Sequence, residues 1–471
     1  MQKYRTDPRL QAVHERFALV AIWDDHEFSD DCWADSETYG NGSLANGVGD
    51  NVHQPRRRRS ANQAWYEFMP ADIYFTADAT AGIQNVRIYR ELQFGTLAHL
   101  VMTDERLYRS DHIIAEAAPH PATGQALGSM GSGYMVPEAL LYDTQAQKMA
   151  AAQAAGSHPL TPVSILGNTQ CAWSAQAAAG AGIAAQGAAA AHTIAFGFIR
   201  ADVIANRQKS RFVADAGMAQ ALAPFFTRLL LNADQWDGYN AERKALMQHL
   251  RDHGIRNVVA LTGDIHAFFA GEVRDDYSAL DGGNPVMVDL VTAGVSSDSL
   301  FNYLKAAVGS LSASLATLVH YPLSLPVPGA GTVALSVNLL DYTLGAAAPT
   351  AATVAQSLRV QLHATLAGAG LAEARLDATV SAVLAGLQAD AAFTGQLLPL
   401  ARQLAGLHSN PWLKHANTDA QGYALVTVTP AALRCEFRQV NKLTGTTAPA
   451  PVIAGSTVAT VQRDIAAVSI A

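Results

Sequence analysis

The stretch FALVAIWDDHE, Phe17–Glu27, decides the reading of this chain. Seven apolar or aromatic residues end abruptly in three acids and a histidine. A short apolar run without strict alternation predicts a strand buried on both faces. Functional groups gather where such strands end in open α/β sheets. Adjacent side chains on an extended tip diverge, so Asp24, Asp25, His26 and Glu27 can take different roles. One carboxylate can ligate a hard cation while His26 faces a substrate. The competing reading is a solvated acidic turn with an N-capping aspartate. Trp23 reads as packing, and Asp30 and Asp31 read as solvated or as support for the ligands.

Three other runs repeat the pattern. Leu97–Met102 leads through Thr103 into Asp104-Glu105-Arg106, Asn257–Thr262 ends in Gly263-Asp264-Ile265-His266, and Val286–Thr292 runs towards Ser296-Ser297. Alternation predicts Asp264 and His266 on one side of a strand end, as two metal ligands require. Arg106 or Arg109 offers a planar fork that matches phosphoryl oxygens, although pairing with Asp104, Glu105 or Asp111 is an equal alternative. Asn168, Gln170, Trp173 and Trp236–Tyr239 read as buried polar structure. The run Arg56–Arg59 reads as a solvated helix start, with attraction of an anionic substrate as the alternative.

Helices are predicted over Arg57–Phe68 and Asn240–His253, the second stopping before Gly254. This alternation predicts an α/β layered enzyme. Ala175–Ala191 and Ala346–Leu407 are Ala-rich, helix-prone additions, with Pro322–Gly331 expected to link the second to the core. Gly422–Val440 alternates like a β-hairpin turning near Pro430. The expected division is a core over 1–300, a mostly helical insert over 301–407, and a C-terminal hairpin and tail over 408–471.

With 471 residues, 49% hydrophobic and 15% charged, the chain has a globular composition. A net charge of −8 gives no electrostatic reason to bind nucleic acid or an anionic membrane. Cys32, Cys171 and Cys435 form no CxxC pair, so neither a zinc knuckle nor a disulfide framework is expected. The first seventeen residues hold no apolar secretion core, and no apolar run is long enough for a membrane span. Localisation stays open.

Taken in order, several segments resemble the alkaline phosphatase D (PhoD-like) family of metallophosphoesterases. Tyr4–Asp31 resembles the segment around that family's WDDHE motif, and Arg59–Pro70 its following helix. TDERLYRSD (Thr103–Asp111) is similar to its DTRxYR stretch, with Glu105 where threonine is usual. ILGNTQCAW (Ile165–Trp173), DQWDGYNAER (Asp234–Arg243) and LTGDIHAFFAGEV (Leu261–Val273) complete the series. The resemblance implies a four-layer sandwich of two mixed sheets flanked by helices. It also implies hydrolysis of small phosphomonoesters or phosphodiesters with calcium and iron. By position it implies Asp25, Asp264 and His266 as metal ligands, His26 as the substrate-facing histidine, and Arg106 as the phosphate binder. The family carries, ahead of this segment, a cysteine and an Asp-x-x-Tyr pair that bind iron, a β-sandwich and an export signal. This chain opens at Met1-Gln2-Lys3-Tyr4. Two expectations follow: a misassigned start in a longer enzyme, or an inactive fragment that keeps the fold and binds anions or a partner protein through its Ala-rich insert.

Overall fold

The computed structural model describes residues 5–37, 52–69, 71–115, 133–178, 183–185, 195–196, 228–279, 282–311, 316, 318–327, 331–406, 408–442 and 452–471. The chain enters through α1 (Pro8–Arg16), capped by the Asp7 carboxylate, which accepts from the amides of Arg9 and Leu10. It then runs extended through Phe17–Trp23, and here the structure corrects the sequence reading. This stretch belongs to no sheet, and Phe17 is 69% exposed, with Leu19 and Val20 also exposed. Ala21 and Ile22 pack only partly, and Trp23 is the first buried residue. Strand propensity needs a partner strand on which to be realised, and these residues have none among the described ones.

Next comes α2 (Pro55–Phe68), with proline in its first turn, where the missing N–H costs nothing. Among the described residues the main sheet has seven strands. Two come early, β1 (Arg90–Phe94) and β2 (Ala98–Met102). Helices α3 (Glu138–Ala154) and α4 (Gly167–Ala178) follow, then β3 (Ile183–Ala185). Helix α5 (Asn240–Asp252) ends at Gly254, whose φ of 63° suits glycine. It leads into β4 (Val259–Thr262), β5 (Phe268–Arg274) and β6 (Pro285–Val291). Within Ala175–Ala191, the end of α4 and β3 are described; the rest lies outside the described residues.

After α6 (Leu300–Leu311) the chain forms a hairpin, β7 (His320–Val327) with β8 (Gly331–Asn338), registered from His320↔Asn338 to Val327↔Gly331. The expected Pro322–Gly331 linker is therefore strand. Pro322 and Pro326 are tolerated because each strand of a two-stranded ribbon has a free edge. The Ala/Leu-rich region is helical as expected: α7 (Ala351–Gly368), α8 (Glu373–Gln388) and α9 (Leu398–Gly406). A Thr350/Thr353 capping box starts α7. Strand β9 (Leu413–Asn417) completes the main sheet in the order β9-β5-β6-β4-β3-β2-β1, parallel at β6/β4, β4/β3 and β3/β2.

The tail forms an antiparallel sheet in chain order, β10 (Gly422–Val428), β11 (Ala432–Val440), β12 (Ile453–Gln462) and β13 (Val468–Ile470). The hairpin expected around Pro430 is present, with Thr429 and Ala432 bonded across the turn. The second sheet is antiparallel rather than mixed.

Period-two alternation joins the layers. Phe268 and Ala270 of β5 pack towards the tail sheet with Leu290, Phe437 and Val461. Phe269 points the other way, into a cluster with Phe301, Val337, Leu358, Leu384 and Phe393 of the insert. The core is thus covered on both faces, and Asp104 and Asp264 follow the ends of β2 and β4.

Candidate active site

Trp23 fastens the first motif to the second. Its indole Nε1 donates to Asp104 Oδ1 at 2.9 Å, and the same oxygen accepts from the amides of Arg106 and Leu107 at 3.0 and 2.9 Å. Gln170 fastens the third. Its Oε1 accepts from the Asp104 amide at 2.6 Å, and its Nε2 donates to the Asp104 carbonyl at 2.7 Å. Segments distant in sequence are thereby stitched into one wall through buried, fully directional bonds. Buried Trp236 donates to Glu105, as expected of buried polar structure, whereas Asn168, read the same way, is exposed and donates to Thr161. The Trp173 side chain lies outside the described residues.

Asp25 is buried. Its Oδ1 accepts from the His26 amide and faces His26 Nδ1, both at 2.7 Å, while Oδ2 accepts from the Asp31 amide at 2.6 Å. Burial pushes the carboxyl up, but the Arg106 guanidinium and His26 outweigh it and hold Asp25 down at about 2. His26 is 75% exposed at its side chain, and its Nε2 lies 3.4 Å from Asp30. The hydrogen bond to Asp25 pushes the imidazole up to about 9, so it is an imidazolium at neutral pH. Asp30 is pushed up to about 6, by burial and then by Asp25.

Arg106 is the hub. It is 2% exposed, and its Nη1 donates to Asp234 at 3.0 Å. Its Nη2 donates to Asp24 at 3.0 Å and Asp264 at 3.4 Å. The guanidinium read as an open fork for phosphate is thus engaged by three carboxylates. Asp264 is pushed well above the ordinary carboxylate range by burial and by Asp24, although Arg106 opposes this. That is the signature of acids crowded with too little positive charge.

The two late residues are placed by turn geometry, not by strand alternation. Both lie beyond β4, with φ of 68° at Asp264 and 59° at His266, separated by a turn in which the Ile265 amide donates to the Gly263 carbonyl. Left-handed backbone at two non-glycine residues is uncommon and marks a constrained turn. Asp264 reaches Arg106, but His266 Nδ1 sits 2.7 Å from the Asp298 carbonyl, and its ring stands edge-on to Tyr303 at 5.5 Å. Among the described residues, ligand atoms lie within 4.8 Å of one another in two groups: Asp24, Asp25 and His26, and Asp25, Asp30 and Asp31. Asp24 and Asp264 thus meet at Arg106 and Asp25 belongs to both groups, whereas Asp264, like His266, joins neither.

Sequence reasoning passed over Asp234 and His112. Asp234 is buried beneath Arg106, accepts a short bond from Arg109, and lies 2.8 Å from His112 Nε2. Burial pushes its carboxyl up, yet Arg109 and Arg106 hold it well below the ordinary range. The signal was available: Asp234 opens the quoted DQWDGY segment, and His112 follows Arg109 by three residues. Glu105, standing where threonine is usual, is buried, and burial pushes it up to about 8.

The chain is 24% identical over 279 residues to alkaline phosphatase D of Bacillus subtilis (strain 168), a match spanning 58% of this chain and 35% of that protein. It superposes on the solved structure titled "Structure of PhoD" with a TM-score of 0.52 at 17% identity, covering 99% of this chain and 57% of that one, a likeness of fold. The chain thus spans about a third of the curated relative it matches. With the family model for PhoD-like phosphatases matching residues 1–322, this chain belongs to the PhoD-like phosphatase family.

Proposed function

We propose that this chain carries the phosphoester-hydrolysing site of a metal-dependent enzyme acting on small phosphomonoesters or phosphodiesters. The observation that carries it is the pairing of Asp24 and Asp264 with buried Arg106, beside the Asp24, Asp25 and His26 group whose imidazolium lies on the exposed side. The two layered sheets and their helices are read as the metallophosphoesterase sandwich.

The donor set fits a hard cation. Carboxylate oxygens dominate both ligand groups, and Asp264 is crowded enough to be pushed up strongly. Asp25, with Asp24 and Asp264, would hold it, and calcium suits these oxygens best. Iron is proposed with them as the second cation, and His266 as a further ligand, on family resemblance alone. A bound cation would polarise a phosphoryl oxygen and lower the pKa of bound water.

The remaining work falls to the side chains. His26 is held by Asp25 through Nδ1, which leaves Nε2 to give its proton to the leaving oxygen as the P–O bond breaks. Arg106 keeps the carboxylates together and supplies positive charge beside the equatorial phosphoryl oxygens. Asp234, Arg109 and His112 fix Arg106 from below.

Hydrolysis of p-nitrophenyl phosphate and its bis-ester, with calcium and iron added, tests the proposal. Metal-dependent release of p-nitrophenol is expected. A folded protein, extended upstream where the gene allows, that turns over neither ester would defeat it. The second reading, an inactive binding protein, is favoured by the separation of His266 from Asp25. Near-stoichiometric metal in the purified chain would count against that reading.

A further inference from the structure

The helix after the first motif carries four consecutive arginines, Arg56–Arg59, and one of them is not solvated. Arg58 is 1% exposed. It shares the inner face of α2 with Asn62 and Trp65, at positions i, i+4 and i+7. Its guanidinium carbon lies 4.5 Å from the Trp23 ring centre and 5.2 Å from that of Phe28. Its Nη1 donates to Cys32 Sγ at 3.7 Å, and that thiol in turn donates to the Asp25 carbonyl at 3.7 Å. Arg58 therefore touches the chain just before the Asp24–His26 acids, just after them, and at the end of the loop. Trp65 adds an edge-on contact to Trp23 at 5.7 Å, and neighbouring Arg57 donates to the Phe28 carbonyl at 2.6 Å.

This arrangement is not what stability alone would select. Among the described residues, Arg58 Nε and Nη2 are buried without a hydrogen-bond partner. An apolar side chain of similar volume would pack there without stranding donors. A buried cation lying against two aromatic faces fixes both rings and admits few alternative rotamers. Local rules are broken in this way where a site has to be held rigid.

We propose that Arg58 is a positioning residue for the Asp24–Asp25–His26 loop, clamping Trp23 and Phe28 so that the carboxylates and the imidazole keep the spacing a cation and a phosphoester require. It touches no reacting atom. The inference rests on the phosphoesterase reading for its catalytic consequence but not for its effect on the loop.

The test compares wild type with Arg58→Met and Arg58→Lys by three readouts. The first is amide hydrogen exchange across Asp24–Asp31, the second is calorimetric affinity for calcium alone, and the third is kcat and KM for p-nitrophenyl phosphate. Arg58→Met should speed exchange in this loop selectively and weaken calcium binding. It should also lower kcat by about 10–100-fold, the scale expected when a catalytic group is misplaced by an ångström, with little change in KM. Arg58→Lys, which keeps the charge but cannot span both rings, should fall between and serves if the methionine variant does not fold. Unchanged loop exchange and calcium affinity would overturn the proposal, as would acceleration spread evenly over α2 and the main sheet. If wild type itself shows no turnover, the functional reading fails while exchange and calcium affinity still decide the role of Arg58.

Discussion

Arg106→Met is the perturbation that most sharply separates a working acid cluster from an ordinary surface ion-pair set. The lost side chain is 2% exposed and bonds Asp234, Asp24 and Asp264. These bonds do not contribute equally. Asp234 keeps Arg109 and His112 and is only partly deprived. Asp24 is 39% exposed at its side chain, so water screens its loss. Asp264 is left with little compensation while Asp24 and Asp25 already push its carboxyl up. Stranding one partner of a buried pair costs about 3–5 kcal/mol, and partial compensation of Asp234 places Arg106→Met near the lower end. Asp264→Asn alone should stabilise the cation-free protein, because it removes a crowded charge. Beyond the gain of Asp264→Asn alone, the double variant should recover about 1–2 kcal/mol of the Arg106→Met loss, a coupling expected of residues in direct contact. Urea unfolding in chelator, followed by tryptophan fluorescence, measures all four proteins. Arg106→Met within about 1 kcal/mol of wild type, the range of exposed ion pairs, would refute the reasoning. So would a double variant whose loss equals that of Arg106→Met.

Further outcomes follow from the same geometry. His26→Ala should lower turnover of p-nitrophenyl phosphate by roughly 10²–10⁴-fold, the scale of a lost proton donor, and an unchanged rate would remove it from the reaction. Calcium at about a hundred times its Kd should raise wild-type stability by about 2.7 kcal/mol, while Asp25→Asn should show much less of this gain in the same urea titration. Chelator should abolish turnover, and added calcium should restore it. Glu242 accepts from Ser164, Ile165 and Leu166, yet burial pushes it from 4.5 to about 7. Its folded-state pKa is raised, so its stabilisation is complete below pH 4.5 and is lost as pH rises through about 7, a swing of about 3 kcal/mol. Glu242→Gln should flatten that slope between pH 5 and 8 in urea unfolding. A slope equal to wild type would show that Glu242 is not its source.

How much of this was legible in the sequence depended on whether a residue's partner was local. The tail hairpin was readable because Gly422–Val428 and Ala432–Val440 alternate and pair with each other across three residues. The end of α5 was readable from Gly254, whereas α2 starts at Pro55, two residues before the expected Arg57. Phe17–Trp23 carries every mark of a strand, yet whether it pairs is decided by distant chain, and Phe17, Leu19 and Val20 stand exposed. Prolines made Pro322–Gly331 look like a linker, since the free edges of a two-stranded ribbon are a tertiary fact. At the site, the motifs and the family resemblance singled out Asp25, His26, Arg106 and Asp264, of which Asp25 contacts His26 and Asp264 contacts Arg106. The Asp264–His266 turn was not, because alternation cannot anticipate two left-handed residues in three. Arg106 was read as open because sequence shows donors without showing the acids that engage them. The burial of Arg58 was within reach, since Asn62 and Trp65 mark the same helical face.

The most direct measurement is an anomalous difference map from crystals of this chain soaked in manganese, an oxygen-seeking substitute for calcium. A peak in contact with the Asp25 carboxylate and bounded by Asp24 and Asp264 is the predicted result. A saturating soak that leaves those carboxylates bare, or places metal only on distant surface acids, would contradict the account.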